Sequence, residues 1–184
     1  MQIEETQLKG LYVISPKLIS DERGFFMEAI RRDEFEKAGL PTRFVQVNHT
    51  SSKQHVLRGL HFQWDKPLGK VIRVIKGSAF MAFVDIRKKS ETLGRSFLIE
   101  VSEDNKKIIY APPGFAAGFC VPGDIAQVEY FYTEFYNPKG ESSILWNDPE
   151  VAIPWPVINP ILSQRDKNAE TLDTWLKRPE SDSF

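Results

Sequence analysis

KVIRVIKGSAFMAFVDIR, residues Lys70–Arg87, is the run whose reading decides the fold. It divides at Gly77-Ser78 into two segments rich in β-branched and aromatic residues, which predicts two strands, Lys70–Gly77 and Ser78–Arg87. In the second segment both alternating sets of residues are apolar, so that strand is predicted to be covered on both faces, as two layers of sheet would cover it. Working outward, SFLIEVS (Ser96–Ser102), KIIYAPP (Lys107–Pro113) and AQVEYFYTEFY (Ala126–Tyr136) continue the series. Asp104-Asn105 and Pro122-Gly123-Asp124 supply turn chemistry between them. Strands broken about every 8–12 residues predict an all-β sandwich or closed barrel.

Two helical additions are predicted. Arg32–Ala38 offers Asp33 as N-cap, Glu36 three residues on and Gly39 as a stop. LSQRDKNAETLDTWLK (Leu162–Lys177) offers Ser163 as a cap, with Leu172, Trp175 and Leu176 on one face. The final RPESDSF (Arg178–Phe184) is polar and is expected to fray. There is no internal repeat, low-complexity tract or linker, so residues 1–184 are expected to form a single domain.

The 184 residues carry 24 Lys+Arg and 25 Asp+Glu, a net charge of −1. That balance provides no general field for nucleic acid or an anionic membrane, so an acidic ligand must be met by local basic groups. One cysteine, Cys120, excludes an intramolecular disulfide and a thiolate zinc cluster; in its apolar surroundings it reads as a buried, inert thiol. MQIEETQLKGLY lacks the basic start and apolar run of a signal peptide, and no apolar run approaches the roughly 20 residues of a membrane helix. A soluble, cytoplasmic protein is expected.

The three histidines, His49, His55 and His61, stand six apart, whereas paired metal ligands usually stand about two to five apart. The position two after His61 is Gln63, so no metal site is expected. His49 and His55 read as surface or satisfied core residues. His61 lies in VLRGLHFQ (Val56–Gln63), where a glycine allows close backbone approach, and its own context leaves structural and functional roles equally open. PPGFAAGF (Pro112–Phe119) lacks the lysine and serine of a phosphate loop, and no serine stands at a G-x-S-x-G turn. Asp166 completes an S-x-x-D capping pattern with Ser163, Tyr130 reads as a strand tyrosine, and Arg23, Arg58, Lys70 and Arg73 each read singly as solvated charges.

In combination these segments say more. DERGFFME (Asp21–Glu28), QVNHT (Gln46–Thr50), VLRGLHFQ, GKVIRVIKG (Gly69–Gly77), VDIRKKSETLGR (Val84–Arg95), PPGFAAGF, YFYTEFYNP (Tyr130–Pro138), WNDP (Trp146–Pro149) and the later WP and LSQRD follow in order. The series resembles the dTDP-4-dehydrorhamnose 3,5-epimerase family of sugar-nucleotide epimerases over almost the whole chain. The resemblance implies a cupin-like jelly-roll, a homodimer, no metal or other cofactor, and a dTDP-4-keto-6-deoxyhexose substrate. It gives His61 the role of catalytic base, Asp166 that of its carboxylate partner, Lys70 that of enolate stabiliser and Tyr130 that of proton donor. Arg23 and Arg58 match phosphate contacts. Phe26, Glu28, Gln46, Asn48 and Tyr136 match positions lining the nucleotide site, some of them reached across the dimer.

Where the family usually reads G-x-A-H-G-F, this chain has Gly114-Phe115-Ala116-Ala117-Gly118-Phe119, so a second pocket histidine is missing. A 3-epimerase acting at one carbon and a non-catalytic nucleotide-sugar-binding cupin are the alternatives; a metal-dependent oxygenase cupin is disfavoured by Gln63. Strict alternation along Val56–Gln63 sets His61 and Arg58 on opposite faces. Both reach one site only if Gly59 bends or bulges the strand.

Overall fold

The computed structural model describes residues 1–184. Its strands are β1 (Gln2–Glu5), β2 (Tyr12–Ser15), β3 (Leu18–Asp21), β4 (Gly24–Met27), β5 (Gln46–Lys53), β6 (Leu57–Gln63), β7 (Lys70–Asp85), β8 (Ser96–Ser102), β9 (Ile108–Ala111), β10 (Phe115–Cys120), β11 (Ile125–Tyr132) and β12 (Glu141–Ser143). The helices are short: α1 (Arg32–Lys37), α2 (Gln164–Lys167), α3 (Leu172–Leu176) and a 3₁₀ turn over Pro179–Ser183.

The two strands expected across Lys70–Arg87 are one, β7, which belongs to two sheets. Its first half pairs with β9 and β11, and its second half with β8 and β10. One antiparallel sheet therefore runs β1-β2-β9-β7-β11-β5, and the other β8-β7-β10-β6-β12. The strand turns its corner at Gly77, whose φ is +73°. A side chain there would set its Cβ 1.8 Å from the Ile125 carbonyl oxygen. A register shift beside it opposes Gln127 and Val128 to Lys76 and Val74, leaving Ile75 as an extra residue. Glu103 fastens the corner, accepting from the Gly77 N–H at 2.7 Å and donating its own N–H to the Gly77 carbonyl at 2.9 Å.

The main core lies between the sheets, where Ile72, Val74 and Val128 meet Met81, Phe83, Phe115 and Phe119. β7 is covered on both faces, as its doubly apolar pattern requires, but the second cover differs from the expectation. Ala82 and Val84 pack with Phe62, Leu172 and Trp175, so the C-terminal segment rather than another sheet lies over that face. On the outer face of the first sheet, Val71 and Ile108 pack with Phe35 of α1.

The helix ends correct three expectations. Arg31, not Asp33, holds the N-cap position of α1, and Asp33 sits in the first turn, ion-paired to Arg31 at 2.8 Å. The single C-terminal helix is two, because Glu170 is drawn into a bridge with Ile144 and accepts the Leu145 N–H at 2.8 Å. Thr171 then caps a fresh start by accepting from the Thr174 N–H. RPESDSF does not fray: Ser181 is fully buried and the Phe184 ring packs edge-on to Phe62. Cys120 is buried as expected, and burial pushes its thiol up to about 12. No helix is long and apolar enough to cross a membrane.

The Gly77→Ala change is expected to destabilise the protein by about 2 kcal/mol or more, from the left-handed backbone together with the displaced β11 carbonyl. Urea unfolding followed by circular dichroism measures this, and an unchanged midpoint would show that the corner is not constrained by that contact.

Candidate active site

The bulge that the sequence required is present. On β10, Ala117 faces His61 and Phe119 faces Arg58, so a two-residue step on β10 spans a three-residue step on β6. The extra residue is accommodated at Gly59, with φ +132°, where a Cβ would stand 2.5 Å from Gly118 Cα. Two glycines thus let β6 and β10 approach closely, and the slip turns Arg58 and His61 toward the same side.

Both line a cavity of about 260 Å³ between the sheets, together with Asn48 and Thr50 from β5, Lys70 from β7 and Tyr130 from β11. Tyr132, Glu141 and Ala117 also line it, with Ile72, Met81 and Phe119 supplying most of the apolar wall. His61 stands on β6 in one sheet and Tyr130 on β11 in the other, so they face each other across the space.

Behind His61 is Asp166. The Nε2–Oδ1 distance is 2.6 Å, and the Asp166 side chain is only 2% exposed. Burial raises the Asp166 carboxyl, but the hydrogen bond and charge of His61 and the Ser163 hydroxyl outweigh it, so it sits below the usual carboxylate range. An ionised Asp166 accepts from Nε2–H, which fixes the tautomer and leaves the other ring nitrogen with its lone pair. The capping pattern is also real, in one direction: Ser163 Oγ accepts from the Asp166 N–H at 3.1 Å, while the carboxylate goes to His61.

Lys70 is 9% exposed and donates from Nζ to the His61 carbonyl at 3.0 Å. Burial pushes its ammonium down to about 8, against a smaller upward pull from Glu141 and with a further lowering by Arg165. Burial, aided by neighbouring Tyr132, raises the Tyr130 phenol well above its usual range; Thr50 and Arg58 pull it down less. Tyr130 therefore carries its proton at neutral pH. Arg58 donates from Nε to Ser52 Oγ at 2.9 Å.

Beside the cavity, Gln46 donates from Nε2 to Asn48 Oδ1 at 2.9 Å and accepts the Tyr136 N–H at 3.1 Å. Tyr136 donates its hydroxyl to Glu141 at 2.8 Å. Three expected residues are not brought here. Arg23, Phe26 and Glu28 belong to the β3–β4 hairpin and its exit, and that hairpin pairs with no other strand. Arg23 folds back on Asp21, Glu28 pairs with Arg31, and Phe26 is 62% exposed.

Glu141, Thr50 and Tyr132 were missed. Alternation along β5 sets Asn48, Thr50 and Ser52 on one face, which was a usable signal for Thr50. Glu141 follows the turn residues Pro138 and Gly140, and nothing in its neighbours marks it as inward-facing. His49 and His55 are exposed, matching their surface reading, and Arg73 pairs with Glu129 at 2.6 Å. No group of three or more His, Cys, Asp or Glu side chains stands together as a metal site would require.

Carboxylate-backed imidazole on one wall and protonated phenol on the other can take a proton from one side of a bound carbon acid and return one from the opposite side. Within this two-sheet barrel, that is the equipment of a cupin-like epimerase. Comparison with known proteins is more particular. The chain belongs to the dTDP-4-dehydrorhamnose 3,5-epimerase family, whose profile matches residues 5–174. It is 43% identical over 171 residues to the dTDP-4-dehydrorhamnose 3,5-epimerase of Methanothermobacter thermautotrophicus, covering 91% of this chain and 92% of that protein. It is 34% identical to a dTDP-4-dehydrorhamnose 3-epimerase from Streptomyces niveus, covering 92% of this chain and 83% of that one. Among solved structures, the dTDP-6-deoxy-D-glucose-3,5-epimerase of Legionella pneumophila, in complex with dTDP-4-keto-L-rhamnose, superposes with a TM-score of 0.92 at 40% identity, covering 98% of this chain and 96% of that one. The cupin-like jelly-roll implied by the motifs is the fold observed.

The Lys70 ammonium is expected to titrate near pH 8, visible by ¹³C NMR as one lysine signal that is absent from a Lys70→Met variant. The ordinary value is 10.5, so between about pH 8 and 10.5 the unfolded chain holds the extra proton. Across that window this residue's contribution to stability rises with pH. Lysine signals that all titrate above pH 10 would refute the burial of the ammonium.

Proposed function

We propose that this chain is a dTDP-4-dehydrorhamnose 3,5-epimerase, inverting C3 and C5 of a dTDP-4-keto-6-deoxyhexose in dTDP-L-rhamnose-type deoxysugar synthesis. The observation that carries the reading is the placement of His61–Asp166 and Tyr130 on opposite walls of one cavity, with Lys70 between the sheets beside them.

The protons at C3 and C5 flank the C4 ketone, so loss of either gives an enolate. His61 takes the proton as general base, and Asp166 steadies the imidazolium that forms. Lys70, charged below about pH 8, stabilises the negative charge developing on the C4 oxygen. Tyr130 then donates a proton to the opposite face of the same carbon, becoming a phenolate. Before the second centre reacts, the imidazolium gives up its proton and the phenolate regains one. The oxidation level of the sugar is unchanged, so the reaction calls for no redox cofactor. Arg58 is assigned to the diphosphate, and Gln46, Asn48 and Tyr136 to the nucleotide side of the site.

We further infer a homodimer in which the β3–β4 hairpin of each subunit supplies Arg23, Phe26 and Glu28 to its partner's site. Support comes from the hairpin itself, which pairs with no other strand and exposes Ile19, Phe25 and Phe26 beside the turn that carries Arg23. The working compartment is taken to be the cytoplasm. One observation favours a second reading, a 3-epimerase. Ala117, cross-strand from His61, lines the cavity where the family usually places a histidine, so one polar contact to the sugar is gone.

Incubation of dTDP-4-keto-6-deoxyglucose with the protein in D₂O, followed by ¹H NMR, is expected to show deuterium at both C3 and C5 with inversion. Label at C3 alone establishes the 3-epimerase, and label at neither sinks both readings. His61→Ala is expected to slow exchange by roughly 10²–10⁴-fold. In Tyr130→Phe, exchange is expected to continue without inversion.

Mixing the inactive Arg23→Ala and His61→Ala proteins after subunit exchange is expected to restore about a quarter of wild-type activity, since half the dimers are mixed and each rebuilds one of two sites. No recovery would place Arg23 outside its partner's site.

A further inference from the structure

We propose that Gln63 is a positioning residue for the nucleotide side of the site: its buried amide holds the loop of residues 133–140, and through it the Tyr136 ring, in place beside the cavity. The inference rests on the assignment of Tyr136 to the nucleotide.

Gln63 stands two residues beyond His61 on β6, is only 3% exposed and does not line the cavity. A buried side-chain amide has to find partners. All of those that Gln63 finds are backbone groups. Nε2 donates to the Lys66 carbonyl at 2.7 Å and to the Phe135 carbonyl at 3.1 Å, and Oε1 accepts the Asn137 N–H at 2.8 Å. Two donors for two carbonyls and one acceptor for one N–H is the set that a primary amide supplies. A carboxylate of the same shape has no donor, and an imidazole has only two polar atoms in all. The residue type at position 63 is therefore fitted to this loop.

The loop has little else to hold it. Glu134, Phe135 and Tyr136 make no hydrogen bond between backbone groups, although Thr133 before them bonds to Gly69 and Asn137 after them to Gly140. The Phe135 and Tyr136 side chains are 62% and 47% exposed, so packing restrains them weakly. Gln63 touches both peptide planes that flank the Tyr136 Cα, one through the Phe135 carbonyl and the other through the Asn137 N–H. Gln46 holds the first of those planes from its other edge, by accepting the Tyr136 N–H. These planes set the direction in which the Tyr136 side chain leaves the backbone, and the Tyr136 hydroxyl then reaches Glu141. The base of the clamp is firm: Asn137 Nδ2 donates to Asp65 at 2.8 Å, and the Trp64 N–H donates to the Gly140 carbonyl at 2.7 Å. An aromatic ring ordered before its ligand arrives lowers the entropy lost on binding.

The test measures dTDP affinity by calorimetry and Asn137 amide exchange by NMR in Gln63→Met and Gln63→Glu, each with and without Tyr136→Ala. Gln63→Met is expected to weaken dTDP roughly 5–100-fold, the scale of one base–aromatic contact. Its Asn137 N–H is expected to exchange fast, while kcat at saturating dTDP-4-keto-6-deoxyglucose stays within about threefold of wild type. On the Tyr136→Ala background the same change is expected to cost less than about twofold further, because a residue that acts through another loses its effect when the other is gone. Gln63→Glu keeps an acceptor for Asn137 but not donors for both carbonyls. It is expected to leave that amide protected and to weaken dTDP roughly 3–10-fold, the scale of one lost hydrogen bond, and it carries the test should Gln63→Met fail to fold. Equal weakening with and without the Tyr136 ring would overturn the proposal, as would unchanged dTDP affinity in both Gln63 variants. If Tyr136→Ala alone binds dTDP like wild type, the assignment of Tyr136 to the nucleotide fails, and the Asn137 amide still reports whether Gln63 holds the loop.

Discussion

A strand can belong to two sheets only if its backbone turns a corner that side chains leave open. In this chain the corner is the contact between Gly77 and the Ile125 carbonyl, too close for any Cβ. Everything at the site is measured from it. Lys70 precedes the corner and belongs to the sheet that carries Tyr130; Met81 follows it and belongs to the sheet that carries His61. The cavity is the angle between those halves. His61 and Tyr130 face each other because one continuous strand holds the two walls at a set separation.

The second pair of glycines works within that frame. Gly59 against Gly118 lets β6 slip by one residue relative to β10, which converts an alternating strand into one that presents Arg58 and His61 together. Burial then sets the charge states. The same desolvation that brings Lys70 down to about 8 lifts Tyr130, so the cation and the neutral acid coexist near neutral pH. Asp166 resists the upward effect of burial because His61 donates to its carboxylate and lends it charge, with smaller lowering from Ser163 and from the charge of Arg165. The site is a set of mutually supported groups rather than independent side chains.

Much of this was legible in the residues. The doubly apolar pattern of Ser78–Arg87 announced a strand covered twice, and the break at Gly77-Ser78 was correctly located though it proved to be a corner. The conflict between Arg58 and His61 in the alternation of Val56–Gln63 identifies the need for a bulge at Gly59. Other features were beyond local pattern. The cover over Ala82 and Val84 comes from Leu172 and Trp175, ninety residues away in sequence, and no periodicity names that partner. Glu141 reads as a loop acid because its inward direction is imposed by the pairing of β12 with β6. RPESDSF reads as a frayed tail by composition, whereas Phe184 is captured by Phe62, a tertiary contact that overrides local polarity. The hairpin with Arg23 and Phe26 has the alternation of a strand pair and exposes its apolar groups, which a single chain's pattern leaves without an explanation.

The bond between His61 and Asp166 spans 105 residues of sequence. At ordinary rates of synthesis the ribosome delivers the aspartate roughly 5–20 seconds after the histidine. For that interval β6 can pair, and the cavity can begin to close, around an imidazole with no carboxylate behind it. Chemical competence is therefore acquired late, as the C-terminal segment arrives, and a nascent chain that already has most of its barrel is not yet a catalyst.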